Sequence, residues 1–328
     1  MTATTSTATA ADGLTRTLDE VNRLVLASSG AGMPGVDAVL RYLPSHGGKG
    51  VRPRMALLAS AAGGGGAADA PRPVGVAAGV ELMHLGTLHH DDVVDESALR
   101  RGHPTVAALW GNRTAVFAGT FLLSRGTELI AAAGERAAGA AAACTAELWR
   151  GQTRELVATY RVDRTEEEYL DVIGRKTGAL FGLAGLAGAL AAHAPTATVS
   201  ALERFGRTWG TAFQLADDLA DLTSTTVRLG KPASADVRAG IYTLPVILAL
   251  ATDGPAGARL RTLLGVPGMD ASGAAEVREL AVATGAVDRS VVALRGLLDR
   301  AHTELDAVPD TWARRQLHAM VEEVGDVV

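Results

Sequence analysis

The chain has 328 residues, with 31 Lys+Arg against 36 Asp+Glu and 48% hydrophobic against 20% charged residues. A net charge of −5 with scattered basic residues excludes a nucleic-acid footprint, and the apolar content excludes a disordered chain. A single cysteine, Cys144, excludes a disulfide scaffold and a cysteine-based zinc site. Length alone suggests about two domains, yet no shift in composition marks a boundary. One domain is therefore expected over residues 14–328, behind a loose Thr/Ala-rich tail at 1–13. That tail has neither the basic start nor the apolar core of a signal peptide, so a cytoplasmic location is expected.

Apolar residues recur every three or four positions almost throughout, and alternating strand patterns are scarce. Leu14, Leu18, Val21, Leu24 and Val25 mark a first helix, followed by breaks at Ser45–Gly50 and Gly63–Pro73. A helical run begins near Val74 and ends on His89-His90-Asp91-Asp92-Val93-Val94-Asp95. After a break around Gly102–Pro104, the Ala-rich stretch Ala131–Ala143 reads as a helix surface, because Ala is the best helix former. Gly178–Ala192 is an uncharged apolar run of 15 residues, short of the roughly 18–20 that span a bilayer, and reads as a buried helix. Breaks near Ala194–Thr196, across Leu229–Gly240 and at Gly265–Gly273 follow, and Leu294, Leu297, Leu298, Ala301 and Leu305 mark a late helix. Few aromatics and abundant Ala favour close helix packing. The expected class is all-α, a single-domain antiparallel helical bundle.

Two carboxylate clusters carry the chemistry. Asp91 and Asp95 lie about 40° apart on a helix wheel, with Asp92 beside them. Like charges so placed repel one another by a few tenths of a kcal/mol per pair, roughly, so a cation between them would explain their position. Gln214-Leu215-Ala216-Asp217-Asp218-Leu219-Ala220-Asp221 repeats the Asp-Asp-x-x-Asp spacing inside another apolar helix. Oxygen-only ligands favour Mg²⁺, which takes few carboxylates and completes its shell with water and substrate phosphates. Two facing clusters are thus expected to hold one diphosphate through several Mg²⁺ ions. Cations for its oxygens stand at Lys49 and Arg52 in a Gly-rich loop, at Arg100 and Arg101, at Lys176 and at Lys231.

With these motifs in order, the chain resembles the trans-isoprenyl diphosphate synthases, the polyprenyl synthetase family, from about Leu14 onward. Gly47-Gly48-Lys49-Gly50-Val51-Arg52-Pro53 resembles the family's opening loop, and Asp91–Asp95 with Arg100-Arg101-Gly102 its first aspartate-rich motif. Lys176-Thr177, Gln214–Asp221 and Gly230-Lys231-Pro232 complete the series, whose style is closest to medium- and long-chain members. The resemblance implies an isoprenoid synthase type I-like bundle around a central cavity, usually a homodimer. It implies that Asp91, Asp92, Asp95, Asp217 and Asp218 hold Mg²⁺, three ions with substrate bound, with Asp221 as outer support. Arg100, Lys176, Thr177, Gln214 and Lys231 would contact the allylic diphosphate, and Lys49, Arg52, His84 and Arg101 would bind isopentenyl diphosphate. His84 lies about 20° from Asp91 on the wheel, which permits that role. The implied reaction joins isopentenyl diphosphate head-to-tail to an allylic diphosphate, lengthening it by five carbons.

Two positions depart from the family's pattern: Thr120 stands where Asp is usual, and Ile241 where a second Lys often follows the second motif. They leave room for an attenuated or regulatory subunit of a heteromeric synthase. A class I terpene cyclase is a more distant alternative, because its second site would be of an Asn/Ser/Glu type. A His-Asp metal phosphohydrolase would account for His90-Asp91 but not for Asp217–Asp221. Product length is expected to depend on the floor below the first cluster. Thr87 and Gly86 are small there, Met83 or Phe121 would close the floor, and the Gly178, Gly182, Gly185 and Gly188 series either widens the opposite wall or packs helices closely. A product of C20 or longer is expected.

Overall fold

The computed structural model describes residues 2–64, 70–223 and 234–326. The chain is all-α. Its helices are α1 (Thr2–Ser28), α2 (Pro34–Leu40), α3 (Tyr42–Ser45), α4 (Val51–Ala62), α5 (Pro71–Val94), α6 (Val106–Trp110), α7 (Asn112–Ala131) and α8 (Glu135–Ala158). They continue as α9 (Glu166–Ile173), α10 (Ala179–Ala191), α11 (Thr196–Thr223), α12 (Ala235–Arg238), α13 (Leu244–Leu250), α14 (Pro255–Leu263), α15 (Ala271–Ala283), α16 (Ala286–Glu304) and α17 (Trp312–Gly325). Among the described residues the strands are β1 (Leu99–Arg100) and β2 (His103–Pro104), an antiparallel hairpin that follows the first aspartate cluster.

The chain divides into two compact units, each discontinuous in sequence: Met1–Cys144 with Leu180–Arg204 and Leu305–Leu317, and Thr145–Ala179 with Phe205–Glu304 and His318–Val328. Composition carried no hint of this, since both units are built from the same Ala- and Leu-rich helices. The stretch expected as a loose tail lies in α1, consistent with the helix propensity of its Ala residues. The Ala-rich stretch at 131–143 is not one helix. α7 ends at Ala131, Gly134 turns the chain at φ 114, and α8 then buries Ala137 and Ala141. The expected buried helix at 178–192 is α10, and no described helix is long and apolar enough to cross a membrane.

In the first unit α5 is the central element, packed on α7, α4 and α1. Pro71 starts it at N1, where the missing amide N–H is not needed. Two glycine pairs set its approach to α7. A Cβ at Gly79 would lie 2.7 Å from the Gly126 carbonyl oxygen, and one at Gly86 would lie 2.7 Å from that of Gly119. The antiparallel helices therefore meet backbone to backbone at two points, two helical turns apart. Gly86 is thus a packing residue of this crossing, whereas Thr87 beside it is half-buried and donates its hydroxyl to His84 O at 2.8 Å. Met83 lies within the same crossing, against Gly126. The later glycines also pack: Gly185 abuts Leu202 O, Gly188 abuts Ala56 O, and in the second unit Gly178 abuts Arg207 O.

The second unit closes around α13, which packs on α9, α14, α15 and α16. Trp209 on α11 is buried and donates its indole N–H to Met320 O on α17 at 3.0 Å.

The crossing makes a stability prediction. Gly126→Ala should lower the thermal midpoint, because forcing the helices apart costs about 1–3 kcal/mol against about 1 kcal/mol gained in helix propensity. Gly139→Ala, on α8 with nothing within 4 Å of the new methyl, should instead raise it. Equal midpoints for Gly126→Ala and the native chain would remove the crossing argument.

Candidate active site

In the first unit, α5 ends on the first cluster. Asp91 is half-buried, Asp92 is buried at 3% exposure, and Asp95 is exposed at the C-cap, its amide donating to Asp91 O at 2.8 Å. Helical register therefore continues through Asp95, as the wheel requires. Arg100, on β1, donates from Nε to Asp92 Oδ1 at 2.8 Å and places Nη2 2.7 Å from the same oxygen. Burial pushes the Asp92 carboxyl above its usual range, while the Arg100 charge pulls it down. Thr105 ties the hairpin to the helix end: its amide donates to Ala98 O and its hydroxyl to Ser97 O, while Ser97 N donates to Asp92 O.

Arg52, Arg101 and Arg100 act on His84, which lies two turns before Asp91 on α5. Gly47 and Gly50 hold φ of 64 and 62, which lets the Gly-rich loop turn sharply into α4. Lys49 is exposed on that loop, and Arg52 stands in the first turn of α4 with its guanidinium 4.5 Å from the Phe181 ring centre. Arg101 and Gly102, at φ 54 and 79, form the hairpin turn, and this conformation lays the Arg101 guanidinium against Gly48. Burial, joined by the charges of Arg52, Arg101 and Arg100, holds the His84 imidazole well below its usual pKa, so it is neutral. Arg52, Arg101 and Arg100 thus all act electrostatically on His84, and Lys49 lies one residue from the Gly48 contact.

In the second unit the last three turns of α11 carry Gln214, an exposed Asp217, and the buried Asp218 and Asp221. Asp218 accepts from Tyr169 Oη at 2.7 Å on Oδ2 and from Gln214 Nε2 at 2.8 Å on Oδ1. Thr177 Oγ1 donates to Gln214 Oε1 at 2.8 Å, which fixes the way the amide points. Burial pushes the Asp218 carboxyl up to about 6, with Glu155 and Asp217 adding to the rise and the two hydrogen bonds opposing it. Asp221 Oδ2 accepts from Asp236 N at 3.4 Å, and its backbone oxygen from Ser234 N at 3.0 Å. Lys176 and Thr177 lie on a π-helical turn, Gly174–Gly178, of a kind frequent at functional sites. α8 lies so close to this turn that a Cβ at Gly151 would sit 2.9 Å from Lys176 N. Lys176 Nζ pairs with the Glu155 carboxylate.

Lys231, with Gly230 and Pro232, lies outside the described residues. Thr120 donates to Val116 O at 2.9 Å and sits 3.4 Å from His90 Nε2. Ile241 is half-buried, its amide donating to Asp236 O.

Three functional neighbours escaped the sequence reading. Glu81 is buried three residues before His84; burial raises its carboxyl while Arg52 and Arg101 lower it. Its helical spacing from His84 was a usable signal. Tyr169 and Glu155 lie 49 and 21 positions from their partners, beyond any local pattern.

Among the described residues no group of three His, Cys, Asp or Glu side chains forms a preformed metal cage. Oxygen-only carboxylates dispersed in this way suit Mg²⁺, which keeps its waters and takes phosphate oxygens as ligands. Asp91, Asp92 and Asp95, and Asp217 and Asp218, are the groups able to hold it.

The polyprenyl synthetase family model matches residues 34–281. A nonaprenyl diphosphate synthase from Mycobacterium tuberculosis is 40% identical over 86% of this chain and 84% of its own. Heptaprenyl diphosphate synthase component 2 from Geobacillus stearothermophilus is 37% identical over 96% and 95%. A polyprenyl synthase structure from Caulobacter crescentus, complexed with calcium and isoprenyl diphosphate, superposes with a TM-score of 0.88 at 32% identity, covering 96% of this chain and 97% of that one. The motifs, the helical architecture and these likenesses agree, and the chain belongs to the polyprenyl synthetase family of prenyltransferases.

Proposed function

We propose that the chain lengthens an allylic diphosphate by head-to-tail addition of isopentenyl diphosphate, with Mg²⁺, to a trans-polyprenyl product of C20 or longer. The observation that carries this reading is the pair of Asp-Asp-x-x-Asp sets, each with a buried second Asp, Asp92 or Asp218, held by its own donors. Asp91, Asp92, Asp95, Asp217 and Asp218 would hold the metal, and Asp221 would brace the second set from outside. Mg²⁺ would draw charge onto the leaving diphosphate. Arg100, Lys176, Thr177, Gln214 and Lys231 orient the allylic diphosphate, and Lys49, Arg52, His84 and Arg101 bind isopentenyl diphosphate. As the allylic C–O bond breaks, these fixed cations stabilise charge on the departing oxygens. The isopentenyl double bond attacks the allylic carbon, and the lost proton passes to the released diphosphate. Apolar helix faces exclude the water that would capture the cation. Residues 14–328 are proposed to act as one functional domain, in the cytoplasm.

We read the oligomer as a homodimer through α6 and α7. Trp110 and Phe117 are 41% and 55% exposed there, and the Phe117 ring lies tilted against Phe121 with centres 6.5 Å apart. Phe117→Glu should shift sedimentation at micromolar concentration from dimer to monomer. A native chain that sediments as a monomer and is inactive alone would favour a two-component synthase.

The purified chain, given Mg²⁺, isopentenyl diphosphate and allylic primers, should form products of C20 or longer, shortened by Thr87→Phe. Asp91→Ala and Asp217→Ala should each cut turnover by about 10³-fold or more. Native products that stop at C15, or near-normal turnover in both variants, would refute the reading.

Metal binding should also depend on pH. Mg²⁺ needs the Asp218 carboxylate ionised, and without metal that group titrates at about 6. Mg²⁺ affinity should therefore weaken as pH falls through about 6 and level off above it, a dependence that Asp218→Asn abolishes. Affinity that does not vary between about pH 5 and 7 would contradict this.

A further inference from the structure

A cavity of about 350 Å³ lies in the second unit between the C-terminal turns of α8 and the start of α9. Arg154 and Val157 reach it from one face of α8. Arg161 follows just past that helix, after Tyr160 at φ 62. Glu168 and Val172 line it from α9, and Arg164 lines it from the connecting segment.

Arg164 is the unusual member. It is 7% exposed, yet it has no ion pair among the described residues. Its Nη1 donates to Tyr242 O at 3.2 Å, and its guanidinium lies 5.4 Å from the Tyr169 ring centre. Its Nε and Nη2 are buried with no hydrogen-bond partner. An unsatisfied buried donor costs about 1–3 kcal/mol, more when charged. Burial works against its positive charge, and the carboxylates that favour it, Glu155, Glu168 and Asp218, act only through space. All three are committed elsewhere, Asp218 to Tyr169 and Gln214. Glu155 pairs with Lys176, while Glu168 accepts from Thr165 N at 2.9 Å in the capping box that starts α9.

Arg154 pairs with Asp171, and Arg161 lies 2.9 Å from Asp163 and 3.5 Å from Glu168. These are largely exposed pairs of a kind that contribute little and exchange partners readily. The cavity wall itself carries three guanidinium groups and one carboxylate, Glu168, while Asp163 and Asp171 pair with the outer two arginines from beside it, and the planar forks match phosphate oxygens. Val157 and Val172 add an apolar wall.

We propose that this cavity binds a small phosphate-type dianion, inorganic diphosphate or the head of a phosphomonoester, with Arg164 as its buried cation and Arg154 and Arg161 as its outer contacts. The site adjoins the second carboxylate cluster only through Tyr169, which lies under Arg164 and donates to Asp218, and it needs no metal.

The full chain in EDTA is titrated calorimetrically with inorganic diphosphate, beside Arg161→Gln, Arg164→Gln and Arg52→Gln. The native chain should show a binding event that weakens about tenfold or more in Arg161→Gln and Arg164→Gln and persists in Arg52→Gln. Arg161 lies at the surface, so its variant keeps the test decisive even where loss of the buried Arg164 unfolds the chain. Competition by glycerol phosphate would assign the site to phosphomonoester heads, and its absence would assign it to free diphosphate. An unchanged isotherm in Arg161→Gln, loss of all binding in Arg52→Gln, or no binding up to about 10 mM would overturn the proposal.

Discussion

The constraint on which the site depends is that buried carboxylates must be held before any metal arrives. Asp92 and Asp218 are 3% and 7% exposed, and in each case burial is the largest influence on the carboxyl, raising its pKa. An unpartnered carboxylate at such depth would protonate or destabilise the fold. The chain solves this differently at the two positions. Arg100 meets Asp92 with a charge, from a hairpin whose turn residues adopt the left-handed conformation. Asp218 has no cation bonded to it among the described contacts; it receives two neutral donors, Tyr169 and Gln214. That difference accounts for the rise of the Asp218 carboxyl to about 6, since no bonded cation opposes its burial as Arg100 does at Asp92.

Helix spacing is the second requirement. α5 holds Glu81, His84, Asp91 and Asp92, so its position against its neighbours fixes where those groups stand. The Gly79–Gly126 and Gly86–Gly119 contacts fix it by backbone contact rather than by side chains, which leaves no soft rotamer to absorb an error. The same economy recurs at Gly151, where α8 closes on the π turn that presents Lys176 and Thr177.

Much of this was legible in the sequence, because the informative signals were local. The repeated Asp-Asp-x-x-Asp spacing, the Gly-rich loop before Arg52 and the apolar periodicity each lie within one or two turns of helix. The part that was not legible depends on distance along the chain. Tyr169 reaches Asp218 over 49 positions and Lys176 reaches Glu155 over 21, and no periodicity in one sequence records such a pair. Gly86 shows a different failure. On the wheel it lies away from Asp91, and small size alone suggested an open floor, whereas the space beside it is filled by the α7 backbone. A missing side chain in sequence is either room for a ligand or room for a neighbour, and only packing decides which.

Hydrogen bonds and one ion pair join the motif residues of the second unit. Thr177 orients Gln214, Gln214 and Tyr169 hold Asp218, and Lys176, next to Thr177, neutralises Glu155. Glu155 in turn raises the Asp218 carboxyl. A phosphate that drew Lys176 away from Glu155 would strip Glu155 of its counter-charge and make Asp218 harder to ionise, unless a cation arrived with it. A metal alone would meet a carboxylate already occupied on both oxygens by neutral donors. On the proposed function, Lys176 would turn to the phosphate, and a metal held at Asp218 would supply the positive charge that Glu155 and Asp218 then lack. The arrangement would thus favour, for the proposed function, a metal–diphosphate complex over either component alone, through charge balance among three side chains, Lys176, Glu155 and Asp218.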